Sequence, residues 1–348
     1  MRYIIGGQIG YDNLSIKKSN ILEKKQIISN GRSALYLILN KIKKRINTVY
    51  IPSYLCESII QPIKEIGLKY KFYKIRKKFN FELPHKKNSA VIFLNYFGIN
   101  NKKTKNIRNN TKDNIYYIKD CTHDIFSKKR NFKNFNKKDI FRFASIKKYI
   151  PFPVGAITNI DNLKLGNQNK SDNSIIEKFF KTLKDRNKYF ASPQKKIDLK
   201  FEYKLLRKQS NFKKYENKKI LKNNISNQIK NKIIKYDLNK ILKARDKNFI
   251  FYKKNFNKKI KIISKNNCYP LNITILLKKN EKKKVIELIK KHRIFATTLW
   301  PLPKQIKTKK FKYSDILSNR LISIPIDHRY NKKDIEFVIS IIHKALKL

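Results

Sequence analysis

The sequence predicts an α/β protein in which a large domain with a mostly parallel β-sheet precedes a smaller C-terminal α+β domain. The chain has 348 residues, of which 41% are hydrophobic, so it can bury a large core. Apolar, strand-like runs at residues 48–52, 90–96 and 114–120 are separated by segments long enough for helices or loops. Such spacing is typical of parallel sheets with helices on both faces, which bind ligands at the carboxyl ends of their strands.

The predicted large domain covers residues 1–235. Its first helix begins after Ser29 or Asn30, either of which can cap it, and continues to about Arg45. Residues 69–75 alternate between polar and apolar side chains and predict another strand.

The later part of this domain contains an apolar run at residues 140–145, which is predicted to be a buried strand. Two prolines then interrupt any regular element, and a strand-like pattern resumes at residues 155–158. Residues 166–224 are polar and lysine-rich, and we expect them to form surface helices.

Residues 236–348 are predicted to form the smaller domain. Helical periodicity at residues 225–256 indicates a helical passage between the two domains. The further predicted elements are strands at 268–277 and 321–325 and helices at 281–292 and 332–346.

The formal net charge of +60 suggests a polyanionic partner such as nucleic acid or an anionic membrane surface. The lysines are, however, spread along the whole chain together with many Asn and Ile residues, as a genome-wide compositional bias would produce. A dedicated nucleic-acid binder more often concentrates its charge on one face. We therefore expect no specific nucleic-acid partner, while weak non-specific binding stays open.

Cysteine and histidine spacing argues against disulfides and metals. Cys56, Cys121 and Cys268 are odd in number and have no CxxC spacing, so we expect reduced thiols in a cytoplasmic protein. The histidines lack metal-ligand spacing, and no metal site is expected. We find neither a signal peptide nor a segment of membrane-spanning length, so no membrane partner is expected.

Lys147 and Lys148 lie where the predicted strand 140–145 meets a loop. An amine in a partly desolvated pocket loses proton affinity, and its neutral form can attack a carbonyl to make a Schiff base. The alternative is that both lysines are solvated surface charges, as most lysines are. The residues by themselves leave both interpretations open.

Asp120 ends a predicted strand, and Thr122 and His123 follow it at the same rim as residues 145–148. An aspartate and a lysine are what a pyridinium cofactor needs, because one holds the ring nitrogen protonated and the other carries the cofactor. The alternative interpretation is a turn with an aspartate cap.

Gly31, Arg32 and Ser33 open the first predicted helix. The glycine lets an anion approach backbone N–H groups, and a phosphate there would gain from the helix dipole and from the Arg32 and Ser33 side chains. An ordinary capped core helix is the alternative.

Taken together, these motifs resemble the DegT/DnrJ/EryC1/StrS family of pyridoxal-phosphate-dependent sugar aminotransferases. The resemblance implies fold type I, which is the fold of aspartate aminotransferase, and runs in the family's order from about residue 28 to the C-terminus. It is weakest at residues 160–220. The matching stretches are 30–35 for the phosphate cup, 50–54 for a strand end, 120–123 for the aspartate element, and 293–295, 300–301 and 322–330 in the C-terminal domain.

The resemblance implies that Lys148 carries pyridoxal phosphate. The family's lysine lies seven residues before the first of two glycines, and Gly155 places Lys148 there, with Lys147 as the second candidate. Asp120 would pair with the pyridine nitrogen. The remaining implied residues are Gly31, Arg32, Ser33, His123 and Ser145 for the cofactor, and Tyr54 and Trp300 for the substrate.

Three departures from the family pattern affect this expectation. Phe143 replaces a serine that binds the cofactor phosphate, and Ser145 is the candidate to take over its role. Cys56 stands where many members place an aromatic ring against the cofactor, and Ala156 replaces the second glycine.

The resemblance implies a transamination, in which an amino group moves from an amino donor, expected to be glutamate, to a keto group. The expected acceptor is a nucleotide-linked sugar for a surface polysaccharide, and the expected assembly is a homodimer with shared active sites. One alternative is a relative that performs dehydration, but such members replace the lysine with histidine, so Lys148 argues against it. Another is an inactive or polyanion-binding protein on the same fold.

Overall fold

The computed structural model describes residues 4–12, 14, 22, 25–126, 128, 133–167, 169–191 and 198–348. The strands are β1 (Ile5–Gly6), β2 (Thr48–Pro52), β3 (Lys69–Tyr73), β4 (Ser89–Leu94), β5 (Ile115–Asp120), β6 (Phe141–Ala144), β7 (Ile157–Thr158), β8 (Lys261–Ile262), β9 (Ile273–Leu276), β10 (Ile294–Phe295) and β11 (Leu321–Ile324).

α-Helices accompany these strands throughout the described part of the chain. They are α1 (Gly31–Ile42), α2 (Ile60–Glu65), α3 (Lys133–Asn136), α4 (Lys170–Ala191), α5 (Leu199–Lys218), α6 (Asn227–Ile234), α7 (Leu238–Asn255), α8 (Glu281–Lys291), α9 (Lys312–Arg320) and α10 (Lys332–Leu346). No helix in these ranges is both long and apolar enough to cross a membrane.

A six-stranded sheet with the order β3-β2-β4-β5-β6-β7 forms the centre of the large domain. Its strands are parallel except β7, which pairs with β6 in the antiparallel sense. Every residue of β4 is buried, as expected for a central strand covered on both faces. The predicted α/β class with a mostly parallel sheet is therefore confirmed.

The smaller domain contains an antiparallel sheet with the order β11-β9-β8. The N-terminal strand β1 pairs with β10, so the start of the chain is attached to the C-terminal part. Helix α7 contributes its first residues to one hydrophobic core and its last residues to another. The boundary between residues 235 and 236 stays a prediction, since α7 packs into both cores.

Helices α4 and α5 are more buried than the polar composition of residues 166–224 suggests. Phe179 of α4 stacks on Phe212 of α5 with ring centroids 4.2 Å apart, and both rings are buried in the core that contains the lysine loop. This packing brings the end of α5 to the carboxyl edge of the large sheet.

Candidate active site

The site is built where β5 and β6 end side by side. The two strands are parallel, and Asp120 at the end of β5 is in register with Phe143 of β6. The turn after β5 and the loop after β6 are hydrogen-bonded to each other: Ser145 N donates to Thr122 Oγ1 at 3.0 Å, and the Tyr149 hydroxyl donates to the Thr122 carbonyl at 3.0 Å. The structure therefore fixes the aspartate turn against the lysine loop.

Asp120 points into this edge and accepts a hydrogen bond from the Thr122 N–H at 2.9 Å. Burial raises the pKa of its carboxyl above the ordinary value, while the positive charge of Lys148 acts in the opposite direction. Asp120 and Lys148 thus interact electrostatically, as the sequence analysis predicts for a lysine and an aspartate at one rim.

The two neighbouring lysines differ sharply in their surroundings. Lys147 Nζ donates to Glu216 Oε1 at 2.5 Å and to the Pro153 carbonyl at 3.2 Å. The side chain of Lys148 is exposed, and its Nζ atom has no hydrogen-bond or ion-pair partner among the residues that the structure describes. Lys148 is therefore the amine that is free to react.

Gly155 closes the lysine loop in a conformation that requires glycine. Its φ is +139°, and a Cβ atom there would lie 3.2 Å from Cγ1 of Ile146. The Gly155 carbonyl accepts from Lys147 N at 2.9 Å, so the glycine fixes the loop next to the lysine pair. Ala156, by contrast, forms a regular antiparallel bridge with Ile28, which explains why glycine is not needed there.

The same bridge holds the start of helix α1 against the loop. Asn30 caps α1, since its Oδ1 atom accepts from Ser33 N at 3.0 Å. A Cβ atom at Gly31 would lie 3.4 Å from Cβ and 4.0 Å from Oγ of Ser145, and 3.8 Å from the ring of Phe143. Ser145 thus brings a hydroxyl to the N-terminus of α1, while Phe143 fills the space below it.

Glu216, near the end of α5, lies at the same helix start. Its Oε1 atom accepts from Asn30 Nδ2 at 3.0 Å, and its Oε2 atom is 3.8 Å from Arg32 Nη2. Arg32 Nη1 also donates to Asn217 Oδ1 at 2.7 Å. The side chain of Glu216 is only 9% exposed, so this carboxylate is shielded from water and neutralised by the cations around it.

His123 is buried and neutral. Its Nδ1 atom accepts from Phe97 N at 3.1 Å, and burial, with a further contribution from Lys148, lowers its pKa to about 3. Its ring stacks on Phe97 and Trp300 at centroid distances of 5.2 and 5.6 Å. The remaining ring nitrogen, Nε2, is then the N–H donor of the neutral imidazole.

The two predicted substrate residues lie in a buried aromatic cluster. Tyr54 is fully buried, its hydroxyl donates to the Leu299 carbonyl, and its ring lies 5.2 Å from that of Trp300. Trp300 reaches the site through its stacking on His123. The Tyr54 hydroxyl thus already donates to a backbone carbonyl, and a role for Tyr54 in substrate binding stays a prediction.

Cys56 is half-buried, and its Sγ atom lies 3.0 Å from Ser58 Oγ. It packs against the aromatic cluster around Tyr54. Within the described ranges, the structure brings together no group of three or more metal-ligating side chains.

Sequence reasoning missed Glu216 and Asn217 because both lie in the weakly patterned stretch before residue 224. No local pattern in the sequence marks Glu216. The chain has 24 acidic residues against 84 lysines and arginines, so each acid has many basic partners available and a buried one stands out only once the fold is known.

Comparison with solved structures identifies the architecture. Spr1654 from Streptococcus pneumoniae in its PMP form, described as a sugar aminotransferase, superposes with a TM-score of 0.59 at 11% identity, covering 92% of this chain and 86% of that one. The chain has the aminotransferase fold. Helicobacter pylori PseC, an aminotransferase of pseudoaminic acid biosynthesis, gives a TM-score of 0.58 at 15% identity, with coverages of 97% and 88%.

A DegT DnrJ EryC1 StrS aminotransferase from Brucella abortus shares the aminotransferase fold as well, with a TM-score of 0.53, 14% identity and coverages of 91% and 84%. The expected fold type I is confirmed by these likenesses. No family model and no curated protein matches the sequence. The chemistry therefore has to be argued from the residues at the sheet edge.

Proposed function

We propose that the protein is a pyridoxal-phosphate-dependent aminotransferase. The observation that carries the proposal is the electrostatic interaction of a half-buried aspartate, Asp120, with Lys148, whose amine has no partner in the described part of the chain, at adjacent strand ends of an aminotransferase fold. Two of the superposed Streptococcus pneumoniae structures are PLP and PMP forms of the same protein, which supports this cofactor.

The residues at the sheet edge fit pyridoxal phosphate. Asp120 offers a shielded carboxylate for the pyridine nitrogen, and Lys148 offers an unpaired amine for the aldehyde. Ser145 offers a hydroxyl for the phosphate, and the first turn of α1 offers the backbone N–H groups of Gly31 and Arg32. The N–H and the hydroxyl of Ser33 both donate to Asn30 Oδ1, and Ser33 would have to leave that cap to bind the phosphate. When bound, the cofactor accepts electrons from the substrate α-carbon and holds the nitrogen that is transferred.

Each residue then has a defined task. Asp120 keeps a proton on the ring nitrogen, because its carboxylate gains from a neighbouring positive charge. The Lys148 amine would remove the proton from the donor α-carbon and, in the second half-reaction, return a proton to the acceptor carbon. His123 holds its ring in one orientation through Phe97 N and presents Nε2–H. Over both half-reactions, the donor's amino group and the acceptor's carbonyl oxygen change places.

We further propose glutamate as the amino donor and a keto sugar linked to a nucleotide as the acceptor, within surface polysaccharide synthesis. Neighbouring folds described as sugar aminotransferases support a sugar substrate. A basic rim around the site would favour an acceptor that carries a diphosphate. A cytoplasmic homodimer is the assembly that this proposal includes.

The test is a visible absorption spectrum of the purified protein with added pyridoxal phosphate, followed by addition of glutamate. Bound cofactor should give a visible band that glutamate bleaches while 2-oxoglutarate forms. Asp120→Asn should lower the rate of this half-reaction on the order of a hundredfold, as removal of one electrostatic stabiliser does in other enzymes. A protein that forms no such band, and instead binds mixed oligonucleotides tightly at physiological salt, would be the polyanion-binding alternative.

A further inference from the structure

The carboxyl-terminal turn of α5 lies on the start of helix α1. Glu216 contacts Asn30 and Arg32 there, and it also pairs with Lys147 of the lysine loop. Phe212, one helical turn before Glu216, places its ring 5.9 Å from Lys147 Nζ. Three donors and cations that surround the predicted phosphate position, Asn30, Arg32 and Lys147, are thus engaged, wholly or in part, by one helix end.

These contacts are the ones that an anion at this position would make. The side-chain amide of Asn30, the guanidinium of Arg32 and the ammonium of Lys147 all face the Glu216 carboxylate. Arginine and lysine bind carboxylate and phosphate oxygens with the same groups. A carboxylate of the protein itself therefore occupies the place at the N-terminus of α1 where ligand oxygens would be stabilised.

The negative charge of Glu216 opposes the binding of a phosphate at this position. A phosphate dianion next to Glu216 would be repelled by it, and the repulsion is strong because the carboxylate is shielded from water. The cations available at this point, Arg32 and Lys147, carry two positive charges, and Glu216 already neutralises one of them.

We propose that Glu216 is a specificity-determining residue of this anion site: its carboxylate competes with phosphate for Asn30, Arg32 and Lys147. Phosphate binding then requires the end of α5 to move away from these donors. This inference rests on the proposed function, because the phosphate concerned is that of the cofactor. The site consequently discriminates against weakly charged anions, which cannot displace a carboxylate that is already bound.

Helix α5 can release this contact without losing its place in the core. Its anchor to α4 is the stack of Phe212 on Phe179, which precedes the last turn. The ion pair of Lys219 with Asp172 at 2.7 Å follows that turn and would open with it. The contacts to the site come from Glu216 and Asn217, which lie in the last turn of α5. Fraying of a single terminal turn is a low-energy opening.

The experiment compares the full-length protein with Glu216→Gln, which keeps the size and the acceptor oxygen but removes the negative charge. The matched control is Glu177→Gln on α4, where the side chain is exposed. Affinity for inorganic phosphate is measured by calorimetry at constant ionic strength, and affinity for pyridoxal phosphate by absorption. We expect Glu216→Gln to bind both about tenfold more tightly, which corresponds to removal of one moderately screened like charge. Glu177→Gln should bind like the parent.

A merely structural role for Glu216 predicts a different pattern. In that case the variant would bind phosphate equally or more weakly than the parent, and either result would overturn the proposal. Both roles lower the melting temperature without ligand, because Lys147 loses its partner, but only competition predicts that the rise caused by phosphate becomes larger than in the parent.

A second measurement uses the unmodified protein, in case Glu216→Gln does not fold. Amide hydrogen exchange at residues 213–218 should become faster when phosphate is added, while exchange at residues 31–36 becomes slower. Unchanged or slower exchange at residues 213–218 would contradict the proposal. Because inorganic phosphate is the probe, tighter phosphate binding by Glu216→Gln with no cofactor attachment would sink the proposed aminotransferase and leave this inference intact.

Discussion

The Nζ atom of Lys147 lies 2.5 Å from Oε1 of Glu216, whereas the Nζ atom of its neighbour Lys148 has no partner within the described ranges. A side-chain nitrogen held by a carboxylate must leave that partner before it can attack a carbonyl carbon. The family resemblance, through the distance from Gly155, implies Lys148 as the reactive lysine, and the ion pair of Lys147 gives an independent physical reason for the same choice.

Replacement of each lysine by arginine separates the two roles. Lys147→Arg keeps a positive charge for Glu216, and we expect it to retain covalent attachment of pyridoxal phosphate. Lys148→Arg keeps the charge next to Asp120 but cannot form a Schiff base, so attachment should be lost. Borohydride reduction followed by mass spectrometry of the peptides checks both. Attachment in Lys148→Arg together with its loss in Lys147→Arg would show that the assignment is reversed.

Ser145 is expected to supply the hydroxyl that Phe143 cannot. Its Oγ atom lies next to Gly31, at the start of α1. Loss of one hydrogen bond to a charged group costs about 1.5–3 kcal/mol, so Ser145→Ala should weaken pyridoxal phosphate binding at least about tenfold. Ser340→Ala is the control, because that hydroxyl donates to the Phe337 carbonyl on α10. Equal affinities in the two variants would exclude Ser145 from the phosphate site.

Much of the sheet edge could be predicted from the sequence because it depends on local patterns. Apolar runs such as residues 90–96 form central strands, and in a parallel sheet the residues that follow strands meet at one edge. The proximity of Asp120, His123 and Lys148 follows from this topology. The need for glycine at position 155 also depends on local structure, because the lysine loop turns there at a positive φ.

Contacts between distant polar segments could not be predicted in this way. Glu216 lies 186 residues from Asn30 and 69 from Lys147 in the chain, and no periodicity marks it. The burial of Tyr54 escaped prediction for a similar reason, because its hydroxyl partner is the carbonyl of Leu299 in the other half of the molecule. Such pairings depend on how α5 and the C-terminal part pack onto the sheet.

Gly155 is expected to be the most sensitive glycine of the site. In Gly155→Ala, a side chain must adopt φ +139° and its Cβ atom must lie 3.2 Å from Ile146, so strain and crowding add together. We expect a loss of about 1–3 kcal/mol in unfolding free energy, with weakened cofactor binding. Gly67→Ala is a matched control, because Gly67 has φ +80° but nothing within 4 Å of its Cβ position. If both variants lose the same stability, crowding at Ile146 contributes nothing.

His123 should make the protein's stability depend on pH. Its pKa is lowered to about 3 in the folded protein, against about 6.5 in an unfolded chain, so the unfolded state binds the proton more tightly. Stability contributed by neutral His123 is therefore fully present above about pH 6.5 and declines as the pH falls, by at most about 1.4 kcal/mol per pH unit. Asp120 acts in the opposite sense, because its raised pKa favours protonation in the folded state.

His123→Gln isolates this contribution, since glutamine does not titrate and its carbonyl oxygen can still accept from Phe97 N. We expect the variant's unfolding free energy, measured by urea denaturation between about pH 4 and pH 6.5, to fall less steeply with decreasing pH than that of the parent. The range ends at about pH 4 because Asp327 also contributes to the pH dependence of stability below it. Burial opposes ionisation of Asp327, but the Arg329 charge helps to lower its pKa to about 2, so the stability that its carboxylate contributes is lost only at lower pH. Parallel curves for parent and variant would mean that His123 takes up a proton in the folded protein as readily as in the unfolded chain.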